Sequence, residues 1–232
     1  MIQVTLRRFA VLLAIALIGL IFAGLIRDYS EQAALRPLAE LYVQAVPADL
    51  GAPNVITGIL LTYRAFDTLG EVAVLFMVAA GVGILLTGGD KSNDVAQERK
   101  AASELVQSGA DILLPLIFIF AAYIIMNGHL SAGGGFQGGA VIASGVMLLL
   151  LAKPATALSQ DFLSFSESLA GVLFVLVGVA GIVFAGGFLD NRVLPLGQFG
   201  AFFSAGAIPV ISILLGIKVG AELSVIIDRF RN

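Results

Sequence analysis

The sequence predicts an all-α, polytopic membrane protein with about six transmembrane helices. It also predicts a short interfacial or re-entrant helix before the second span, and cytoplasmic termini. Three observations carry this. Hydrophobic residues make up 59% of the 232 and charged residues 12%, where soluble domains average roughly 45–50% and about 25%. The mean hydropathy is +1.00. Glycine, at 27 residues, is about 12% of the chain against an average of roughly 7%, which suits close helix packing in lipid.

The same numbers exclude several functions. A net charge of −3 offers no basic surface for nucleic acid. The chain has no cysteine, so disulfides, thiolate metal sites and iron–sulfur clusters are out. One histidine cannot supply a bis-histidine haem or a zinc cluster. No catalytic residue, cofactor or metal is expected.

Phe9–Ile26 is an uninterrupted apolar run of 18 residues flanked by Arg7, Arg8, Arg27 and Asp28. It measures about 27 Å as a helix, long enough to span. A cleaved signal peptide is the competing reading, but its apolar core is normally about 7–15 residues. Tyr29–Pro53 mixes Glu31, Arg36, Glu40 and Asp49 with Leu35, Leu38 and Tyr42 at helical spacing. That pattern fits a helix lying on the membrane surface or a cap packed on partner subunits. One straight helix over Asn54–Thr87 would be about 50 Å, longer than a bilayer is thick. The expectation is therefore a short helix over Val55–Thr62, a polar break at Tyr63–Glu71, and the second span from about Thr68 to Leu86.

Gly88–Gln107 is charged and reads as a solvated loop. The third span is expected at Ala110–Asn127 with Pro115 near its start, where a missing donor costs least. The fourth is expected at Phe136–Ala152, stopped by Lys153-Pro154. A polar linker (Ala155–Ser166) precedes the fifth at Glu167–Leu189, which exits through Asp190-Asn191-Arg192. The sixth is expected at Gly197–Ile227 with Pro209 inside it. Alternating these spans puts Arg7, Arg8, Lys91, Arg99, Lys100, Lys153, Arg229 and Arg231 on one side, and Arg27, Arg36 and Arg192 on the other. The positive-inside rule makes the first side cytoplasmic. The two halves share no motif, which weakens a transporter built on inverted repeats.

Four groups of residues invite a functional reading. Arg64, Asp67, Thr68 and Glu71 fall on one helical face, and ionisable groups at membrane depth usually pair or line a watery path. A carboxylate beside an arginine suits a proton relay. Thr68-Leu69-Gly70-Glu71 also fits a capping box. Lys218 and Glu222, four apart near the cytoplasmic end of the last span, are a weaker candidate for the end of an ion path. Snorkelling with a local ion pair is the more ordinary reading. His129, expected in an outer loop near the headgroups, suits a hydrogen-bonding loop residue better than a relay. Asp111 and Glu167 are explained by helix N-terminal dipoles.

The remaining group is structural. Gly133, Gly134, Gly135, Gly138 and Gly139 crowd five glycines into seven residues. A dinucleotide turn would need a preceding strand and a βαβ unit. Between membrane helices the glycines are instead expected to form a packing hinge.

Two stretches resemble known proteins. Gly128-His129-Leu130-Ser131-Ala132-Gly133-Gly134-Gly135-Phe136-Gln137-Gly138-Gly139 resembles the signature of the MnhB family. That family comprises the B subunits of Mrp-type multisubunit sodium/proton antiporters and their equivalents in membrane-bound hydrogenase-type complexes. The likeness covers about Ser108–Arg231. The family usually has proline where Ala132 stands, which bears on loop stiffness. Asn54-Val55-Ile56-x-x-Ile59-Leu60-x-x-Tyr63-Arg64-x-Phe66-Asp67-Thr68-Leu69-Gly70-Glu71 is similar to the carboxy-terminal region of the large Mrp protein MrpA and to its small hydrogenase-type counterpart.

The resemblance implies a natural fusion. Residues 1–90 would be the MrpA-like segment with two spans, 91–107 a cytoplasmic linker, and 108–232 the MnhB-like domain with four. It implies an accessory, non-catalytic subunit of the cytoplasmic membrane, packed against antiporter-like large subunits and small ones such as MrpC. Na+ and H+ would be the transported ions. It also implies that Arg64 and Glu71 matter for transport, and that the main lysine- and glutamate-rich channels lie in other subunits.

Overall fold

Serine hydroxyls start two of the long helices earlier than hydropathy alone suggests. In the computed structural model, which describes residues 2–29, 34–87 and 102–231, Ser103 caps a helix running Glu104–Met126 by accepting from the Val106 N–H. Ser159 likewise caps Gln160–Phe184 by accepting from Phe162. Each satisfies a donor that a helix N-terminus would otherwise leave free.

The helices are α1 (Ile2–Asp28), α2 (Pro37–Leu50), α3 (Val55–Gly58), α4 (Ala65–Thr87), α5 (Glu104–Met126), α6 (Gly135–Ala152), α7 (Gln160–Phe184) and α8 (Ile208–Arg231). Six of them are long and apolar enough to cross a membrane. Residues 88–101, which carry most of the expected loop and linker with Lys91, Arg99 and Lys100, lie outside the described residues, as does Glu31.

The chain divides into two units, Met1–Glu40 and Leu41–Asn232. The first holds α1, whose described side chains are all exposed. In the second, α8 is the axis. It touches α4, α5, α6 and α7, and 61% of its apolar window is buried against 22% for α4, α5 and α7. Contacts along α8 advance in step with α4 and α6 and run opposite to α7, as alternating spans require.

Several boundaries differ from expectation. The last span starts at Ile208 rather than Gly197. Residues 194–207 are apolar enough to read as helix, but Gly197, Gly200, Ala205 and Gly206 take positive φ, which breaks it. Pro209 therefore sits in the first turn of α8, where its missing N–H costs nothing. Pro115 lies in the middle of α5 instead of near its start. With α5 and α7 beginning at Glu104 and Gln160, Asp111 and Glu167 are both the eighth residues of their helices. They are too far in to act on the terminal dipole. Asp111 instead accepts from Lys153 Nζ at 2.5 Å.

α2 buries Val46 and Leu50, with the Tyr42 ring 5.5 Å from that of Tyr63. The face expected to be apolar, at Leu35 and Leu38, is exposed. α2 and the segment Val55–Tyr63 meet at 80°.

Candidate functional site

The break expected at Tyr63–Glu71 has a backbone cause. Ile59–Tyr63 winds as a π-helix, closed by Arg64 N–H donating to the Ile59 carbonyl at 2.8 Å. The wider turn frees the Leu60 carbonyl, which accepts from the Thr68 hydroxyl at 2.7 Å. Such single π turns recur at functional sites. α4 then starts at Ala65, with Asp67 N–H donating to the Arg64 carbonyl. Thr68 is therefore the fourth residue of the helix. The capping-box reading of Thr68 and Glu71 fails, because a cap must precede the first turn.

The expected common face of Arg64, Asp67, Thr68 and Glu71 splits in two. Arg64 and Asp67 form an exposed ion pair. Thr68 and Glu71 turn the other way and line a cleft of 60 Å³ with Thr57, Gly134, Gln137 and Leu215. That holds more than one water molecule, since one needs roughly 10–15 Å³. The glycine segment and the acidic motif thus meet in one cleft.

Asn54 makes that meeting rigid. It caps α3 by accepting from Thr57 N–H, and its amide donates to the Gly128 and Ser131 carbonyls at 2.8 and 2.7 Å. Its backbone N–H donates to the His129 carbonyl at 3.0 Å. Thr57 adds a hydroxyl bond to Gly128 at 2.9 Å.

The five glycines play two parts. Gly133 and Gly134 have φ of +148° and +139°, a region that L side chains seldom enter. Gly135, Gly138 and Gly139 sit where a Cβ would strike α8 or α5. On α8 the matching residues are Gly216 and Gly220, which pack on Ile125 and Ile142. The small-xxx-small spacing thus occurs on both α6 and α8, where it permits close approach.

His129 is fully buried. Its ring nitrogens have no aligned hydrogen bond, although the backbone of Ala201, Phe202 and Met126 lies near. Burial holds its pKa below the usual imidazole value. It is therefore a neutral residue packed among these backbone groups, away from any solvated surface.

Lys218 and Glu222 are also buried, at 5% and 0% exposure, so neither side chain snorkels. Because α8 begins at Ile208, Lys218 lies about 15 Å along it, near mid-span. Its ammonium is 3.2 Å from Glu222 Oε2 and 3.4 Å from Glu167 Oε1, and 5.6 Å from the centre of the Phe76 ring. The late start expected for its helix makes Glu167 look like a dipole residue and hides its depth in the bundle.

Sequence reasoning also misses Asn191. It is wholly buried, and its amide donates to the Leu50 and Ala205 carbonyls at 2.8 and 2.9 Å. Beside it Asp190 accepts from the Arg192 guanidinium and backbone N–H. That pairing lowers the Asp190 pKa and raises that of Arg192. The Asp-Asn-Arg order carries a turn signal and nothing more. Among the described residues no three His, Cys, Asp or Glu side chains group as metal ligands.

Comparison with known proteins agrees with this architecture. A family described as a domain related to the MnhB subunit of Na+/H+ antiporter matches residues 105–225. A second family, MbhE, described as the E component of MBH, matches residues 5–98. The chain is 30% identical over 196 residues to the uncharacterized protein MJ1307 of Methanocaldococcus jannaschii, covering 74% of each chain. It is 33% identical over 97 residues to the B component of the Na+/H+ antiporter of Bacillus subtilis, covering 40% of this chain and 68% of that one. Its fold matches a chain in the membrane-bound sulfane sulfur reductase, an archaeal respiratory membrane complex. That match has a TM-score of 0.78 and 34% identity and covers 97% and 98% of the two chains. The chain is a multi-pass membrane protein of the family built on a domain related to the MnhB subunit of Na+/H+ antiporters.

Proposed function

We propose that this chain is an accessory, non-catalytic subunit of a Mrp-type sodium/proton antiporter or of the antiporter module of a respiratory hydrogenase-like complex. It contributes to assembly and to an ion path at an interface between subunits. The observation that carries this is the cleft in which Glu71 and Thr68 of α4 face the glycine segment. A carboxylate there, on the opposite side from the exposed Arg64–Asp67 ion pair, is costly in lipid and becomes tolerable once another subunit covers it. The partners are antiporter-like large subunits and small ones such as MrpC, and the ions are Na+ and H+. The membrane is the cytoplasmic one with both termini inside, in keeping with the basic residues flanking the spans. Residues 1–90 act as the MrpA-like part and 108–232 as the MnhB-like part, with 91–107 as linker.

Glu71→Gln in the intact complex tests the reading. The expected result is a complex assembled at its usual level with ion exchange lowered at least about tenfold, the scale of about 1.4 kcal/mol. Normal exchange by an assembled variant would overturn the ion-path role. Loss of assembly would favour a pure scaffold, in which every charge only anchors or packs.

A further inference from the structure

A lysine shared by two glutamates lies inside the bundle, a turn of α8 beyond Leu215, which lines the Glu71 cleft. Its charges do not balance. Two carboxylates and one ammonium leave one negative charge in a region where unpaired charge is strongly disfavoured.

None of the described neighbours supplies a second cation. α4 brings the Phe76 ring, and its own ionisable residues, Asp67 and Glu71, are acidic. α6 has no ionisable side chain. On α5, Asp111 is held by Lys153 and Glu104 lies in the first turn. On α7 the next ionisable residue is Asp161, about 9 Å along the axis from Glu167. On α8, Asp228 is held by Gln160 and Arg231, and Arg229 donates to the Ala79 carbonyl. Glu222 has no exposure, and among the described residues Lys218 is the one cation beside it.

We infer that Glu167, Lys218 and Glu222 form a proton-holding site: the three groups bind one exchangeable proton, carried by whichever carboxylate Lys218 leaves unpaired. Two carboxylates in one low-dielectric site do not both ionise readily. The ligand is a proton rather than a metal cation. The ammonium already occupies the space between the carboxylates, and a cation displacing it would find only those two groups to replace its water.

Access is one-sided. Glu167 is 15% exposed and opens onto a groove of 450 Å³ lined by Phe76, Gly171, Val175 and Leu176, whereas Glu222 is sealed. Transfer balances through the lysine: Nζ gives a proton to Glu222 and takes one from Glu167. One O–H bond breaks, one forms, and the ammonium is restored. Glu167 is the port and Glu222 the store. The inference rests on the proposed function for what the proton is used for, and not for its being bound.

Infrared difference spectroscopy on the purified complex, with bath pH stepped, reads the proton as the band of a protonated carboxyl in an apolar site. Relative to a variant carrying both Glu167→Gln and Glu222→Gln, the unmodified complex should show one additional such group. Glu222→Gln and Glu167→Gln should each abolish it, because the remaining carboxylate then pairs with Lys218 and needs no proton. Lys218→Met should double it. No additional band in the unmodified complex, or loss in only one of the two single glutamine variants, would overturn the shared site. Should a variant fail to assemble, a hydrophobic carbodiimide, which adds to protonated carboxyls, can be applied to the unmodified complex. An adduct at Glu167 that declines as pH rises supports the site, and no adduct at either glutamate overturns it. Both readouts report protonation rather than transport, so failure here leaves the Glu71→Gln result standing.

Discussion

The Arg64–Glu71 region and the Glu167–Lys218–Glu222 cluster have the same make-up, one cation and two carboxylates, and opposite solvation. Arg64 and Asp67 are 59% and 46% exposed at the side chain, while Lys218 and Glu222 are 7% and 0% exposed. In the first region the cation serves one acid, and the other acid, Glu71, faces a cleft. In the second the cation lies between both. The first is an open arrangement that an adjoining subunit would complete. The second is complete in its own helices except for a proton. The difference arises from position on the bundle: α8 is the buried axis, whereas the start of α4 lies on the rim.

The largest expected effect removes the seam common to both regions. Gly135 and Gly139 bring α6 onto Leu215, Gly216 and Val219 of α8, so Gly139→Leu would drive a side chain into that contact. Overpacking of this kind costs typically about 1–3 kcal/mol and occasionally more. The yield of intact complex on a native gel should collapse, since α8 positions both regions. A normal yield would show that the helices do not need this approach.

Asn54→Ala should separate the two regions. It removes the bonds to Gly128 and Ser131 and leaves the part-buried Ser131 carbonyl short of a donor, at a cost of about 1–3 kcal/mol. Hydrogen exchange should speed up at 127–135 and remain unchanged in α7 and α8. Equal loosening of both would mean that they behave as one unit.

His129 predicts a pH effect confined to the glycine loop. Its folded pKa is depressed by burial, so the native state binds fewer protons than the unfolded one, and stability rises with pH. Thermal stability should be level above the ordinary imidazole pKa of about 6.5 and fall below it. His129→Gln should flatten that slope, and an unchanged slope would show that another group titrates. Asp190 acts in the same direction at lower pH. Its folded pKa is lowered by Arg192, so that contribution is present above the ordinary carboxylate range and is lost as pH falls through the depressed value.

The smallest effect on stability belongs to Arg64. Its ion pair with Asp67 is exposed, and exposed pairs contribute about 0–1 kcal/mol. Arg64→Ala should shift the melting temperature little, and a large shift would mean that the pair is structural rather than functional.

The sequence carries the spans well, because lipid demands long apolar runs and these stand out whatever they pack against. It carries the starts of α5 and α7 poorly. Glu104, Gln107, Gln160 and Asp161 make polar first turns that read as loop until Ser103 and Ser159 are recognised as caps. That misplacement has a functional consequence: with its helix started at Glu167, that residue explains itself as a dipole partner. Its ion pair with Lys218, 51 positions away, is a tertiary fact that no local spacing encodes. The Arg64–Glu71 motif is visible because its members are close in sequence. The division between Arg64–Asp67 and Thr68–Glu71 is not, because it depends on the π turn at Ile59–Tyr63. The α8 glycines escape notice because they lie singly in an apolar run, four apart, rather than in a cluster.

In the proposed complex the face beside Glu71 is covered by another subunit. Gly70 is exposed, with open space where a Cβ would stand, and the chain has no cysteine of its own. Gly70→Cys therefore carries a photoactivatable cross-linker to one known place. In the intact complex the expected result is a covalent adduct with a neighbouring membrane protein of the assembly, identified by mass spectrometry. Adducts with lipid alone would contradict it.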